Sequence, residues 1–317
     1  MRSSQTRHHS FKTFFSVISR EHSAYLESFS LILGHLKRRL NFFLRLCWSF
    51  TENRDPKLPE KQLWGDSMSG PYENVPESDW LSVTDKLLAE HPLKLSDILA
   101  ISLHAWSSLW STSIGTGTDA IELRHLPMQA TVVGYFFEKL FAKRLSDITN
   151  GQWRSGHGGE KDLVCEQNPA QSIEIKASGQ LGLKIFGNRS YGQELQAGST
   201  GKKEKSGYYI TVNFYGMTMC LIRFGWIDAG DWKPQLAPTG QMAGLEQAVY
   251  DSKLIPIKGD YTLAGPAQLL NGVGAKKAEG LRDQGIMTIK QILDLGHGLN
   301  DLKTLNAARL FKATYAE

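Results

Sequence analysis

The sequence predicts an α/β (α+β) fold: a mixed sheet flanked by helices, with a small helical domain at the C-terminal end. Three observations predict it. Between residues 78 and 145 the apolar residues recur at helical spacing. From residue 161 the period falls to two, in short runs rich in aromatic and β-branched side chains. After residue 265 the helical period returns.

Composition narrows the class before any element is placed. With 317 residues, 41% hydrophobic and 21% charged, the chain is long enough for a buried core and for two domains. No stretch of 18 uncharged apolar residues exists, which excludes a transmembrane helix and leaves no role for a membrane. The three cysteines, Cys47, Cys165 and Cys220, are too few and too scattered for a disulfide framework or a metal cluster. They read as free thiols in a reducing compartment, so the expected location is cytoplasmic. The net charge of +4 is unevenly placed. Residues 1–67 hold 11 basic and 6 acidic side chains, which leaves 25 basic and 26 acidic for residues 68–317. Net charge therefore gives the main body no nucleic-acid signal, and any such case rests on local motifs.

Residues 1–75 read as a basic leader or linker outside the native fold. The apolar stretch 29–50 carries Lys37, Arg38, Arg39 and Arg45 through its middle, a poor membrane span. No small-residue cleavage site follows it, so it is not a secretory signal. An amphipathic surface helix is the alternative. Met68 opens a more ordinary sequence, and Gly70, Pro71 and Pro76 look like a linker.

Residues 76–260 form the expected main domain. Ser78 is placed to cap a helix running to His91, which Pro92 ends. Ser96 is placed to cap a second through Ile98, Leu99, Ile101, Leu103 and Trp106. Gly115-Thr116-Gly117-Thr118 lacks the lysine of a phosphate-binding loop and reads as a turn. A third helix runs from about Met128 to Leu145, with Val133, Phe136, Phe137, Leu140 and Phe141 on its apolar side. Strand-like runs follow at 161–166 and 172–177, joined by the turn composition Gln167-Asn168-Pro169-Ala170, then at 207–215 and 217–227 with Gly216 between them as a hairpin.

The chemistry concentrates in the second of these runs. Side chains alternate along a strand, so in Ser172-Ile173-Glu174-Ile175-Lys176-Ala177 the two isoleucines enter one face while Glu174 and Lys176 share the other. A hairpin brings Asp162 opposite that pair. Two carboxylates and an ammonium beside apolar strands are costly unless they pair or hold a metal. Asp162 and Glu174 suit Mg²⁺, which takes one or two carboxylates and keeps several waters. Lys176 would orient a water or stabilise charge on phosphorus. A structural salt bridge on an exposed sheet face is the competing reading, and Glu-x-Lys alone favours it.

Asp162-x11-Glu174-x-Lys176 on adjacent strands after a long helix resembles the PD-(D/E)XK nuclease superfamily, with Lys161 where a proline usually precedes the aspartate. The wider stretch 158–164, 172–176 and 185–191 is similar to type II restriction endonucleases of the ScaI kind. The resemblance implies a restriction-endonuclease-like fold, Mg²⁺-dependent hydrolysis of double-stranded DNA leaving a 5′-phosphate, a homodimer, and a cognate DNA methyltransferase in a restriction–modification system. It also implies a helix-borne acid supporting the metal. Glu138 is the candidate, with Gly134 one turn earlier leaving room on its face, and a solvent-facing Glu138 is the alternative.

Asn188, Arg189, Ser190, Tyr191 and Gln193 follow the site as a polar cluster suited to phosphate or base-edge contacts. Lys202, Lys203 and Lys205 read as a surface charge run, and His157 as an incidental loop histidine. In the tail, 269–281 resembles the helix-hairpin-helix motif. Gly272, Val273 and Gly274 form a tight turn whose backbone N–H groups, with the following helix N-terminus, hold a phosphate without reading sequence, and Lys276 and Lys277 sit where they can assist. Residues 265–317 are therefore the expected DNA-binding domain. The sequence supports a type II restriction endonuclease making double-strand breaks. A DNA repair or junction-resolving nuclease and a non-catalytic helix-hairpin-helix DNA-binding protein remain open beside it.

Overall fold

The computed structural model describes residues 70–192, 204–234 and 242–317, and residues 69–317 make one compact unit. Of the proposed leader or linker at 1–75, residues 1–69 lie outside the described residues, as do Gln193, Lys202 and Lys203, whereas its last residues join the main unit, with Tyr72 buried and its hydroxyl 2.7 Å from the Thr84 hydroxyl. Helices α1 (Trp80–Glu90), α2 (Leu95–Ser111) and α3 (Ala130–Ile148) precede most of the sheet, and a two-stranded ribbon of β1 (Ser113–Ile114) and β2 (Ile121–Glu122) links α2 to α3. The Gly115–Thr118 turn forms the tip of that ribbon.

Both expected serine caps are displaced. A 3₁₀ turn, Glu77–Asp79, leads directly into α1, so Ser78 lies inside the turn and its hydroxyl donates to Asp79. Trp80 anchors the entry by donating from its indole to the Val75 carbonyl at 3.1 Å. Helix α2 begins one residue before Ser96, and the Asp97 carboxylate accepts from the Lys94 backbone N–H at 3.1 Å. An acid in the first turn thus does the work assigned to the serine hydroxyl. The third helix begins and ends about two or three residues later than its apolar spacing predicts.

The central sheet has six strands in the order β11–β8–β7–β5–β4–β3, formed by β3 (Trp153–Ser155), β4 (Leu163–Cys165), β5 (Ile173–Ser178), β7 (Gly207–Tyr215), β8 (Thr218–Ile227) and β11 (Leu254–Pro256). Only β5 and β7 run parallel; the other pairs are antiparallel. Between β5 and β7 the chain leaves for β6 (Phe186–Asn188), which joins β10 (Met242–Gly244) and β9 (Lys233–Pro234) in a small second sheet. A short helix, α4 (Gln247–Ser252), returns the chain to β11.

The sheet has two unlike faces, as period-two geometry requires. Ile173 and Ile175 of β5, Tyr208, Ile210, Val212 and Phe214 of β7, and Ile222 and Phe224 of β8 pack with Ile98, Ile101, Phe137 and Phe141 of α2 and α3 into the main core. Helix α3 crosses β5 closely: a Cβ on Gly134 would stand 3.2 Å from the Ala177 Cβ. The residues between them in sequence point to the opposite face, which carries the site.

The C-terminal helices α5 (Ala275–Asp283), α6 (Ile289–Leu295) and α7 (Leu302–Tyr315) close around a core of their own, including Leu270, Leu281, Ile289, Ile292, Leu305 and Phe311. Thr288 caps α6, its hydroxyl accepting from Gln291 N at 3.2 Å. No helix among the described residues is long and apolar enough to cross a membrane.

Candidate active site

The site sits where β4 meets β5. Leu163 pairs with Ile173 in the antiparallel register, which sets Asp162 level with Glu174. The Asp162 Oδ2 accepts from the Ile175 N–H at 2.8 Å, so the carboxylate is fixed against the backbone between Glu174 and Lys176. The loop ahead of Asp162 is pinched shut: Gly156 N donates to the Asp162 carbonyl at 2.9 Å, and a Cβ on Gly156 would stand 1.8 Å from the Lys161 carbonyl. Arg154 clamps the same loop through a two-pronged contact with Glu160, both bonds 2.7 Å. That guanidinium holds the Glu160 carboxyl down at about 2. Glu160 also accepts from the His157 backbone N–H at 2.9 Å, which ties this histidine's backbone to the same clamp.

Glu174 is 1% exposed. Its Oε1 accepts from Lys176 Nζ at 2.6 Å and from the Tyr191 hydroxyl at 2.9 Å. Lys176 Nζ also lies 4.9 Å from the centre of the Tyr191 ring. Burial, then the charges of Glu174 and Asp162, push the Tyr191 phenol up, so it remains a hydrogen-bond donor. Lys161, at the position of the usual proline, donates to the carbonyls of Glu204 and Ser206 at 2.7 and 2.8 Å and fastens the loop before β7 to the base of β4.

Asp162, Glu174 and Lys176 are thus brought together as expected. Glu138, the candidate third ligand, stands on α3. No group of three His, Cys, Asp or Glu side chains arranged to hold a metal exists among the described residues. The room beside Gly134 is filled by Ala177, and Glu138 accepts from Lys139 Nζ at 2.7 Å. Two carboxylates still fit a magnesium-like ion, which retains much of its water.

The polar cluster after the site divides. Asn188 and Ser190 are exposed. Tyr191 turns inward instead, because Gly187 leaves space for its ring, which also meets Trp232 edge-on at 4.8 Å. Its hydroxyl bonds Glu174, beside the exposed Asn188 and Ser190 of the same cluster. The sequence reading also missed the row continuing the site across the sheet: Tyr209, Thr211 and Asn213 stand beside Glu174, Lys176 and Ser178. Their alternation with Tyr208, Ile210 and Val212 carried that signal.

In the tail, Gly272 has φ +80°, and Gly274 precedes the first turn of α5. Val273 and Ala278 are buried and Lys276 is exposed. Lys277 pairs with Asp301 at 2.6 Å, joining the hairpin to the start of α7.

The model of the ScaI restriction endonuclease family matches residues 70–258, well over half the chain. The chain belongs to the ScaI restriction endonuclease family. The matched span takes in the whole six-stranded sheet with Asp162, Glu174 and Lys176, and ends before the C-terminal helices. The type II restriction enzyme ScaI of Streptomyces caespitosus is 34% identical over 197 residues, which cover 59% of this chain and 84% of that enzyme. No solved structure matches the chain. A member of this family is a type II restriction endonuclease, a hydrolase of DNA, and enzymes of this type generally work with a divalent metal ion.

Proposed function

We propose that the chain cuts both strands of DNA at a specific site, with Asp162 and Glu174 holding Mg²⁺ and Lys176 serving the attacking water. The observation that carries this reading is the convergence of the three groups: Asp162 on the Ile175 N–H, and Lys176 2.6 Å from Glu174. When bound, Mg²⁺ supplies Lewis-acid polarisation of the phosphodiester and a more acidic water. The chain's part is to hold both carboxylates rigid through backbone and side-chain bonds and to keep an ammonium beside them for charge developing on phosphorus. The product carries a 5′-phosphate. A two-fold homodimer matches the symmetry of a palindromic site, and a cognate methyltransferase protects host DNA in the cytoplasm.

Within residues 76–260, the nuclease portion, Asn188, Arg189, Ser190 and Gln193 approach the DNA. Residues 265–317 add a grip that does not read bases: the turn Gly272-Val273-Gly274 and the N-terminus of α5 take a phosphate on backbone N–H groups, with Lys276 assisting. Gly274 supports this assignment. Its φ of −77° suits any residue and a Cβ there meets nothing within 4 Å, so the fold does not require glycine, whereas a closely approaching phosphate does. Lys277, tied to Asp301, serves the hairpin's own geometry first.

Plasmid DNA digested by the full chain with Mg²⁺ gives discrete, reproducible fragments, and Asp162→Ala abolishes them. Cleavage by Asp162→Ala at the wild-type rate overturns the metal assignment, and cutting confined to branched or damaged DNA favours a repair enzyme.

A further inference from the structure

We infer that Tyr191 is a positioning residue: it holds the Glu174 carboxylate in the orientation that receives the metal, and it couples that carboxylate to the DNA-contacting turn. The inference rests on the reading of Glu174 as a metal ligand.

Three observations carry it. First, the hydroxyl donates to Glu174 Oε1 at 2.9 Å, the same oxygen that accepts from Lys176 Nζ at 2.6 Å. Two donors converging on one oxygen fix the rotation of this buried carboxylate. Second, the ring is itself fixed. The edge of Trp232 lies at 4.8 Å, the Lys176 ammonium sits over its face at 4.9 Å, and a Cβ on Gly187 would come within 2.9 Å of its Cγ. Third, the residue stands in a short 3₁₀ turn, Arg189–Gly192, that directly follows β6. In that segment Asn188 and Ser190 face solvent while Tyr191 faces the site. A displacement of the turn by DNA at Asn188 or Ser190 reaches Glu174 through one rigid ring and one hydrogen bond.

Groups that orient a metal's ligands typically change metal affinity or activity by about 10- to 100-fold when removed. Tyr191→Phe deletes one oxygen and retains the ring. Gly187→Ala retains the hydroxyl and displaces the ring, and serves in its place should the Phe variant fail to fold. Mn²⁺ is titrated into the full-length protein and the free ion followed by electron paramagnetic resonance, alongside thermal melting and metal-free plasmid binding. The expected result is Mn²⁺ binding weakened about 10-fold or more in both variants, with near-wild-type melting and unchanged metal-free DNA binding in Tyr191→Phe, and lower melting in Gly187→Ala, whose added Cβ presses on Tyr191 and Trp232. Wild-type Mn²⁺ affinity in Tyr191→Phe, in a background where Glu174→Gln loses Mn²⁺, overturns the inference. So does a loss of metal-free DNA binding as large as that of Asn188→Ala, because Tyr191 would then be a direct DNA contact. Wild-type Mn²⁺ binding by Glu174→Gln instead brings down the underlying assignment of Glu174.

Discussion

The two faces of the central sheet are made by the same strands and are buried to a similar degree, yet they are ordered by different forces. Under α2 and α3, Ile173, Ile175, Ile210, Val212, Ile222 and Phe224 belong to one hydrophobic cluster, where close packing does most of the ordering. On the other face Glu174, Thr211, Asn213 and Arg223 are each less than about one-twentieth exposed. There hydrogen bonds do the ordering: Arg223 donates to Asn213 Oδ1 at 2.9 Å, and Asn213 donates to the Lys184 carbonyl at 2.9 Å. Burying polar groups gains less stability than burying hydrocarbon and penalises every unmade bond. The difference teaches that the polar face is retained for what it does. Under the proposed function, it is the face on which Glu174 meets a metal and the charged substrate.

The largest test of this contrast is on the apolar face. Phe137 is fully buried on α3 between Trp106 and Phe141. Phe137→Ala is expected to cost about 3–5 kcal/mol in denaturant unfolding, by lost transfer energy and the cavity left behind. Cleavage per folded molecule remains as in the wild type. A comparable fall in the rate of the folded fraction would mean that the apolar face shapes the site directly, and the division between the faces would not stand.

A smaller effect of opposite sign is expected on the polar face. Thr211 is fully buried beside Lys176 in the sheet register, and its hydroxyl has no hydrogen-bond partner among the described residues. Thr211→Val keeps the shape and removes the orphan, so it should gain on the order of 1 kcal/mol. A calorimetric melting scan checks the sign. A destabilised Val variant would show that packing around the methyl groups, rather than polar satisfaction, governs that position.

How much of this was legible in the sequence follows from the same physics. The alternation in β5 placed Ile173 and Ile175 in the core and Glu174 with Lys176 opposite, because one buried face and one charged face give a clean period of two. The position of Asp162 followed from the register. Strands of two or three residues such as β6, β9 and β10 hold too few side chains to show a period. Tyr191 was unreadable for another reason. Its inward turn depends on the missing Cβ of Gly187 and on Trp232, which is some forty residues away in sequence and adjacent only in the fold. The row Tyr209, Thr211 and Asn213 was written in the sequence but masked, since on a strand buried on both sides polar and apolar residues both read simply as β-formers. Ser78 and Ser96 offered good capping chemistry, and the chain placed its helix starts by other local contacts, the Trp80 indole on the Val75 carbonyl and the Asp97 carboxylate on the Lys94 N–H.

The contrast is sharpened last by a titratable group on the apolar face. The His91 ring lies 4.5 Å from the Tyr208 ring and 4.9 Å from Phe224, with the side chain fully buried. Its Nδ1 accepts from Leu93 N at 3.2 Å, so the proton belongs on Nε2, which faces the Gln171 carbonyl at 3.1 Å. Burial, with a smaller contribution from the Lys94 charge, pushes its pKa below the ordinary 6.5. Below 6.5 the unfolded chain therefore binds a proton that the folded chain refuses, and the unfolded state gains by it. Stability is complete above that pH and falls as the medium is acidified through it, until the folded ring is protonated as well. Denaturant midpoints measured at about pH 8 and about pH 5.5 should drop more for the wild type than for His91→Gln, which keeps a donor and an acceptor but cannot titrate. Equal drops in the two proteins would mean that the ring takes its proton in the folded state as readily as in water, and that this face is less dry than its packing implies.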